Sequence, residues 1–225
     1  MKAVRVHAWG EAPVLDTVPD PVGHEGQAIV RIEAASVGHL DRTIWRGDFL
    51  QPPALPYVPG IEGSGVVERS ERLASGTRVW FRGGGLGTRR DGSWCERCAV
   101  PEEILGVLPD GVPFDAGATF FSPCTSAWVA LHEVGRVRAG ERVLVTGATG
   151  AVGSVACQLA QAAGAEVIAV VGSQARLAQL GEGVRPVVVD RDDPHTAGGV
   201  QADLLIDTVG GATLSTLLPS VVAGG

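Results

Sequence analysis

Residues 143–153 read VLVTGATGAVG, a run of strand-forming apolar residues that breaks at glycines 147, 150 and 153 and leads into Val152, Val155, Ala156, Leu159, Ala160 and Ala163. The first part has the continuous apolar character of a buried parallel strand, and the second repeats at i, i+3, i+4 and i+7, one face of a helix. Glycines at this junction tighten the turn, let backbone approach a pyrophosphate, and let the helix pack on its strand, while the helix N-terminus offers N–H groups to the anion. The turn residues Gly147, Ala148, Gly150, Ala151, Val152 and Gly153 are therefore read as a dinucleotide-binding site.

The surrounding pattern agrees with that reading. Strands are expected at Arg142 to Thr146, Glu166 to Val171, Pro186 to Asp190 and Asp203 to Asp207, with helices between them, including a short one around Ala175 to Leu180. Strands alternating with helices mean a parallel sheet. Pro186 cannot donate to a ladder, so its strand belongs at an edge, where the third strand of a doubly wound 3-2-1-4-5-6 sheet lies. A helix carrying Leu214, Leu217 and Leu218 follows. The chain then reaches Gly224 and Gly225, where a turn into a fifth strand is expected, so the sheet reads as incomplete and Leu204 to Ile206 as facing an open edge.

Upstream, Met1 to about Pro109 alternates apolar and polar residues, as in Ala28, Val30, Ile32 and Ala34, the pattern of an antiparallel β region. A helix is expected to begin with Ser122 as N-cap and Pro123 in its first position, and to stop near Gly135. The fold class is thus α/β, with a β-rich domain at 1–121 and a doubly wound nucleotide-binding domain at 122–225.

The identity of the nucleotide turns on the end of the second strand, where an Asp or Glu would hold the ribose hydroxyls of NAD. Residues 167 to 181 contain no acid. Gly172 and Ser173 leave room there, and Arg176 can pair with a 2′-phosphate through its planar fork, which favours NADPH. Asp190 is the objection, because its charge would repel that phosphate.

Composition removes several other functions. A net charge of −7 provides no basic face for nucleic acid. Lys2 is the only lysine, which excludes Schiff-base and Walker-type chemistry, and Tyr57 the only tyrosine, which leaves no Tyr–Lys pair of the short-chain reductase kind. Ser64 and Ser154 lack the GxSxG frame of a hydrolase. No apolar run is long enough to span a bilayer, and the opening residues read as strand and not as a signal peptide, so a cytoplasmic protein with reduced cysteines is expected.

Six ordered blocks carry a wider resemblance: SVGHLDRTIWRG at 36–47, PYVPGIEGSGVV at 56–67, GSWCERCAVP at 92–101, SAWVAL at 126–131, the VTGATGAVG turn, and IDTVGG at 206–211. On these the chain resembles the zinc-free quinone oxidoreductase and enoyl reductase branch of the medium-chain dehydrogenase/reductase superfamily. The resemblance implies a GroES-like substrate domain, a Rossmann domain, and NADPH-dependent hydride transfer to a quinone or an α,β-unsaturated carbonyl. It also implies that Ser126, Thr208, Val209 and Gly210 flank the cofactor. The zinc ligands of related enzymes fall here at Gly38, Ile61 and Ser122, none of which serves as a zinc ligand at such a site, so no metal is expected. Structural zinc in those relatives needs four clustered cysteines. Cys95 and Cys98 stand in what reads as a strand, pointing to opposite faces, so they are expected as buried thiols, as Cys124 and Cys157 are as helix packing residues.

The resemblance departs at Gly38, where many relatives carry asparagine, and at Phe49, where a pocket tyrosine is common. His39 is the remaining candidate for a catalytic proton donor, with Asp41 orienting or supporting the fold. Trp45, Phe49 and Tyr57 form either an aromatic substrate wall or part of the domain's own core. The rival to an active reductase is a truncated or degenerate relative, a non-catalytic nucleotide-binding or interaction module that needs a homo-oligomer or a complementing chain.

Overall fold

The structure, a computed structural model, describes residues 1–190 and 199–222; Gly224 and Gly225, where the next turn is expected, lie outside them. The chain divides into two compact units, Met1–Phe121 and Ser122–Gly225.

In the first unit β1 (Lys2–Arg5) pairs antiparallel with β2 (Val14–Thr17). A five-stranded antiparallel sheet is formed by β3 (Gln27–Ala35), β4 (Glu62–Arg69), β5 (Arg78–Arg82), β6 (Arg97–Pro101) and β7 (Leu105–Val107), in the order β6-β3-β4-β5-β7. Alternation along these strands does what the sequence pattern implies: Ala28 and Val30, Val67, Val79 and Phe81, and Cys98 and Val100 are turned into one core.

Two short helices in this unit escape the alternation argument. The first, α1 (His39–Trp45), is held at its start by Asp41, whose carboxylate accepts the Gly38 N–H at 2.8 Å and the Ile61 N–H at 3.2 Å. The second, α2 (Phe114–Thr119), packs on the strands β3, β4 and β5. Next comes α3 (Phe121–Trp128), which starts two residues earlier than the Ser122 N-cap and Pro123 first position expected from sequence. Pro123 lies inside its first turn, where the missing N–H would have had no helical acceptor in any case. The helix widens into a π-helical stretch, Val129–Val134, and ends at Gly135 as expected.

The second unit is a parallel sheet. Its strands β8 (Arg142–Thr146), β9 (Glu166–Val171), β10 (Arg185–Val188) and β11 (Leu204–Ile206) run in the order β10-β9-β8-β11, which is 3-2-1-4 in chain order. Pro186 sits on the edge strand, as its lost donor requires. That strand ends before Asp190, although the Val189 N–H still reaches the Val171 carbonyl at 2.9 Å. The helix α4 (Ala151–Ala162) covers one face, where Val143, Val145, Ala156 and Ala160 are buried together. On the other face Leu144 and Ile168 pack with Leu217 of α5 (Gly211–Leu217). Successive residues of β8 therefore enter opposite cores, the signature of a sheet covered on both sides. Beside β11, Val221 makes a parallel bridge with Ala202, and the Ala202 N–H donates to the Ser220 carbonyl at 2.9 Å. Among the described residues, no helix is long and apolar enough to cross a membrane.

Candidate nucleotide site

The site is built where β8 turns into α4. Gly147 adopts φ +60°, and a Cβ there would lie 2.5 Å from the Thr208 hydroxyl oxygen. A Cβ on Gly153 would collide with the Gly147 carbonyl, so only glycine lets α4 approach the turn this closely. The Ala148 N–H donates to the Val170 carbonyl at 3.1 Å and the Gly150 N–H to the Gly147 carbonyl at 2.7 Å, which fixes the turn from within. Gly150 is the N-cap of α4 and no side chain caps that end. The first-turn N–H groups of Ala151, Val152 and Gly153 are left to an outside acceptor, at the positive end of the helix dipole.

A second strand end closes the turn from the side. The Thr146 hydroxyl donates to Asp207 at 2.6 Å and accepts the Thr208 N–H at 2.9 Å. The Thr208 hydroxyl in turn donates to the Thr146 carbonyl at 2.8 Å, and the Gly210 N–H donates to Asp207 at 2.8 Å. Asp207 and Thr146 thereby lock the ends of β8 and β11 together. At the far end of the same strands, Arg142 makes a two-pronged ion pair with Asp203, at 2.9 and 2.8 Å. That guanidinium holds the Asp203 carboxyl down, at a pKa of about 2.

A cavity of about 470 Å³ opens over the turn, lined by Gly147, Thr149, Gly150, Gly172, Arg176, Thr208 and Val209 among others. Arg176 lies in a 3-10 helix, Gln174–Gln179, and its guanidinium donates to the Thr149 hydroxyl at 3.2 Å. It is thus turned toward the glycine turn. Of the residues singled out from sequence, Ala148 is buried beneath the turn, and Ala151 and Ser173 are exposed at its margins. Ser126 lines a separate hollow of about 570 Å³ with Ala130, Ile206 and Asp207. Thr149, Val170, Val171, Val189 and Thr213 line the nucleotide cavity without having been singled out. The first four follow a readable signal: Thr149 lies inside the glycine motif and the valines at strand C-terminal ends, where ligands of open α/β sheets bind. Thr213 had no such signal.

In the first unit, His39 is the exposed first residue of α1. Asp41 is buried, and burial raises its pKa against the lowering effect of hydrogen bonds from the Gly38, Ile61 and Gly60 backbone. Its role is to cap a helix. Trp45, Phe49 and Tyr57 pack with Val6, Ile44 and Ile61, so the core reading of these aromatics replaces the substrate-wall reading. Burial, with the charge of Asp41, pushes the Tyr57 hydroxyl up to about 12. Phe49 also faces a hollow of about 500 Å³ where the loop around Leu50 meets the loop around Gly85 to Arg89.

Cys95 and Cys98 correct a second expectation. They do not point to opposite faces; Cys95 packs against the same core cluster that holds Cys98, and both line one cavity. The reason is that β6 begins at Arg97, and Cys95 precedes it in irregular chain, where the rule of alternating faces does not hold. Cys157 is buried in α4, as expected of a packing residue, and burial pushes its thiol up to about 11.

Residues 24–110 match the model of the alcohol dehydrogenase GroES-like domain. The chain is 33% identical over 181 residues to a quinone oxidoreductase of Pongo abelii, which covers 77% of this chain and 54% of the relative, so it spans about half that protein's length. An acryloyl-coenzyme A reductase of Sulfurisphaera tokodaii is 30% identical, over 100% of this chain and 75% of its own. Among solved structures, the quinone oxidoreductase of Thermus thermophilus, determined alone and in complex with NADPH, superposes with a TM-score of 0.80 at 30% identity, covering 100% of this chain and 72% of that one.

Proposed function

Since the chain belongs to the quinone oxidoreductase family of the medium-chain dehydrogenase/reductase superfamily, we propose that it is an NADPH-dependent reductase acting without zinc on a quinone or an α,β-unsaturated carbonyl. In this reading residues 1–121 form the substrate domain and residues 122–225 the nucleotide-binding half. The observation that carries it is one cavity holding both the uncapped start of α4 and the Arg176 guanidinium. These are two anion-binding devices, and NADPH carries two anionic groups that need them, a pyrophosphate and a 2′-phosphate.

The residues present fit that cofactor. Gly147 and Gly153 keep the turn tight enough for a pyrophosphate to reach the first-turn N–H groups, since a side chain at either would strike Thr208 or the Gly147 carbonyl and force the turn apart. Arg176, steadied by Thr149, supplies the fork for the 2′-phosphate, and no acid occupies residues 167 to 181 to favour NAD instead. Thr208 and Val209 stand on the opposite wall, held by the Thr146–Asp207 pair. When bound, NADPH supplies a hydride; the protein's own contribution is to position the donor and keep its charged end neutralised.

The zinc-free reading rests on residue chemistry. Gly38, Ile61 and Ser122, which fall where relatives carry ligands, offer no side chain that serves as a zinc ligand at such a site. His39 is the proposed proton donor, exposed at the start of α1.

The test follows NADPH oxidation by its absorbance, with a panel of quinones and conjugated enones as acceptors. Turnover with either class, lost with NADH, supports the proposal. NADPH binding without turnover of any acceptor would favour a non-catalytic nucleotide-binding module.

A further inference from the structure

We propose that Cys95 and Cys98 form a peroxide-reactive dithiol that closes to a disulfide, a modification site separate from the nucleotide turn. The two thiols pack into the same core cluster and line one cavity of about 470 Å³ in the first unit, together with Arg5, His24, Arg90, Asp91 and Arg97. Cys95 is half-buried; its thiol donates to the Arg97 carbonyl at 3.0 Å and the Gly92 carbonyl at 3.3 Å. Cys98 is 3% exposed and sits in the edge strand β6.

The backbone explains why the pair meets. The Cys95 N–H turns back to the Ser93 carbonyl at 2.8 Å, while Glu96 N–H and Trp94 carbonyl are bound to β1 on the other side, at 3.0 and 2.8 Å. Pinned by β1 on either side of Cys95 and by β3 from the Glu96 carbonyl onward, the two-residue spacer between the cysteines bends rather than extends. Among the described residues, no group of three or more His, Cys, Asp or Glu side chains is arranged to hold a metal ion, so the pair lacks the further ligands of a thiolate metal centre.

The two sulfurs are unequal, which sets their order of reaction. The neighbouring Cys95 thiol, then burial, pushes the Cys98 thiol well up, so it stays protonated. Cys95 is the more exposed of the two and reaches the cavity, so it meets the peroxide first. The Cys95 thiolate attacks one oxygen of hydrogen peroxide, the O–O bond breaks, and hydroxide leaves and becomes water on taking up a proton. Cys98 sulfur then attacks the resulting Cys95 sulfenic acid, the S–O bond breaks, and a second water leaves. Two thiols lose two electrons and two protons, and the peroxide gains them. A small thiol restores the pair by exchange.

The test uses the full chain carrying Cys124→Ser, reduced, desalted and exposed to equimolar hydrogen peroxide. Trypsin cuts after Arg97 and separates the two cysteines into fragments 91–97 and 98–136. The expected result is that these fragments remain joined without reductant and separate with it, and that both thiols are lost at least about ten-fold faster than that of Cys157. In a Cys98→Ser variant, Cys95 should instead be trapped by dimedone as its sulfenic acid. Fragments that stay apart with both thiols intact, or that join only between two molecules, would overturn the proposal. Neither result bears on nucleotide binding, which belongs to the other unit.

Discussion

The helices α1 and α4 start from the same device and put it to opposite uses. Each has a glycine N-cap in extended backbone, Gly38 at φ −94°, ψ 173° and Gly150 at φ −80°, ψ 170°. In α1 the protein's own carboxylate occupies the helix start, because Asp41 accepts the Gly38 N–H and reaches across to the Ile61 N–H. In α4 no side chain does this, and the third glycine of the motif, Gly153, stands where Asp41 stands in α1, three residues after the N-cap. A carboxylate at that place would fill the anion site with the protein's own charge. The comparison teaches that a helix start free of the protein's own negative charge, and not the glycines alone, distinguishes a binding turn from a structural one.

The sharpest way to break this contrast is Gly153→Ala. Its Cβ would strike the Gly147 carbonyl and pry the turn open. NADPH affinity is expected to fall by at least about 100-fold, about 2.8 kcal/mol, with far-ultraviolet circular dichroism unchanged. Isothermal titration would measure it; wild-type affinity in this variant would mean that the turn is not the site.

Asp41→Ala tests the other helix. It uncaps α1 and leaves the Ile61 N–H without its acceptor, so denaturant unfolding should show a loss of about 1–2 kcal/mol. Nucleotide affinity should stay as in the wild type, because Asp41 belongs to the first unit. An unchanged unfolding curve would remove the structural role given to Asp41.

Arg176→Ala sharpens the cofactor assignment. The expected change is a rise of about ten-fold in the dissociation constant for NADPH, about 1.4 kcal/mol, and none for NADH. Equal losses for both would make Arg176 a support for Thr149 and not a reader of the 2′-phosphate.

The smallest effect concerns the strands that feed the turn. With Asp203 held at about 2 by Arg142, the unfolded chain binds the proton more readily than the folded one. The stabilisation is therefore complete above the ordinary aspartate range near 4 and fades as pH falls through about 2. Asp203→Asn should flatten that part of a melting-temperature profile, modestly, since solvent reaches the pair. An identical acid limb in the variant would count against the ion pair.

How far the fold was legible depended on where each element's stability originates. The strands β8 and β9 carry their own signal, because a strand buried on both faces must be apolar throughout, and their limits match the expected ones. By contrast α1 has seven residues, too few to hold by propensity alone, and its cap draws on Ile61, twenty positions away. No local pattern announces that. Likewise Cys95 and Cys98 read as strand residues because their neighbours do, whereas the bend between them comes from β1 at the other end of the unit. In the candidate site, the glycines and Arg176 were readable from motif and spacing. The Thr146–Asp207–Thr208 network was not, since it joins two strand ends about sixty residues apart.

The most direct test of the central claim is a titration of the purified chain with NADPH and, separately, NADH, following nicotinamide fluorescence and melting temperature together. An open α4 turn partnered by Arg176 requires saturable NADPH binding, a raised melting temperature, and weaker binding of NADH. No binding and no stabilisation by either nucleotide would contradict it, and would make the glycine turn a feature of architecture alone.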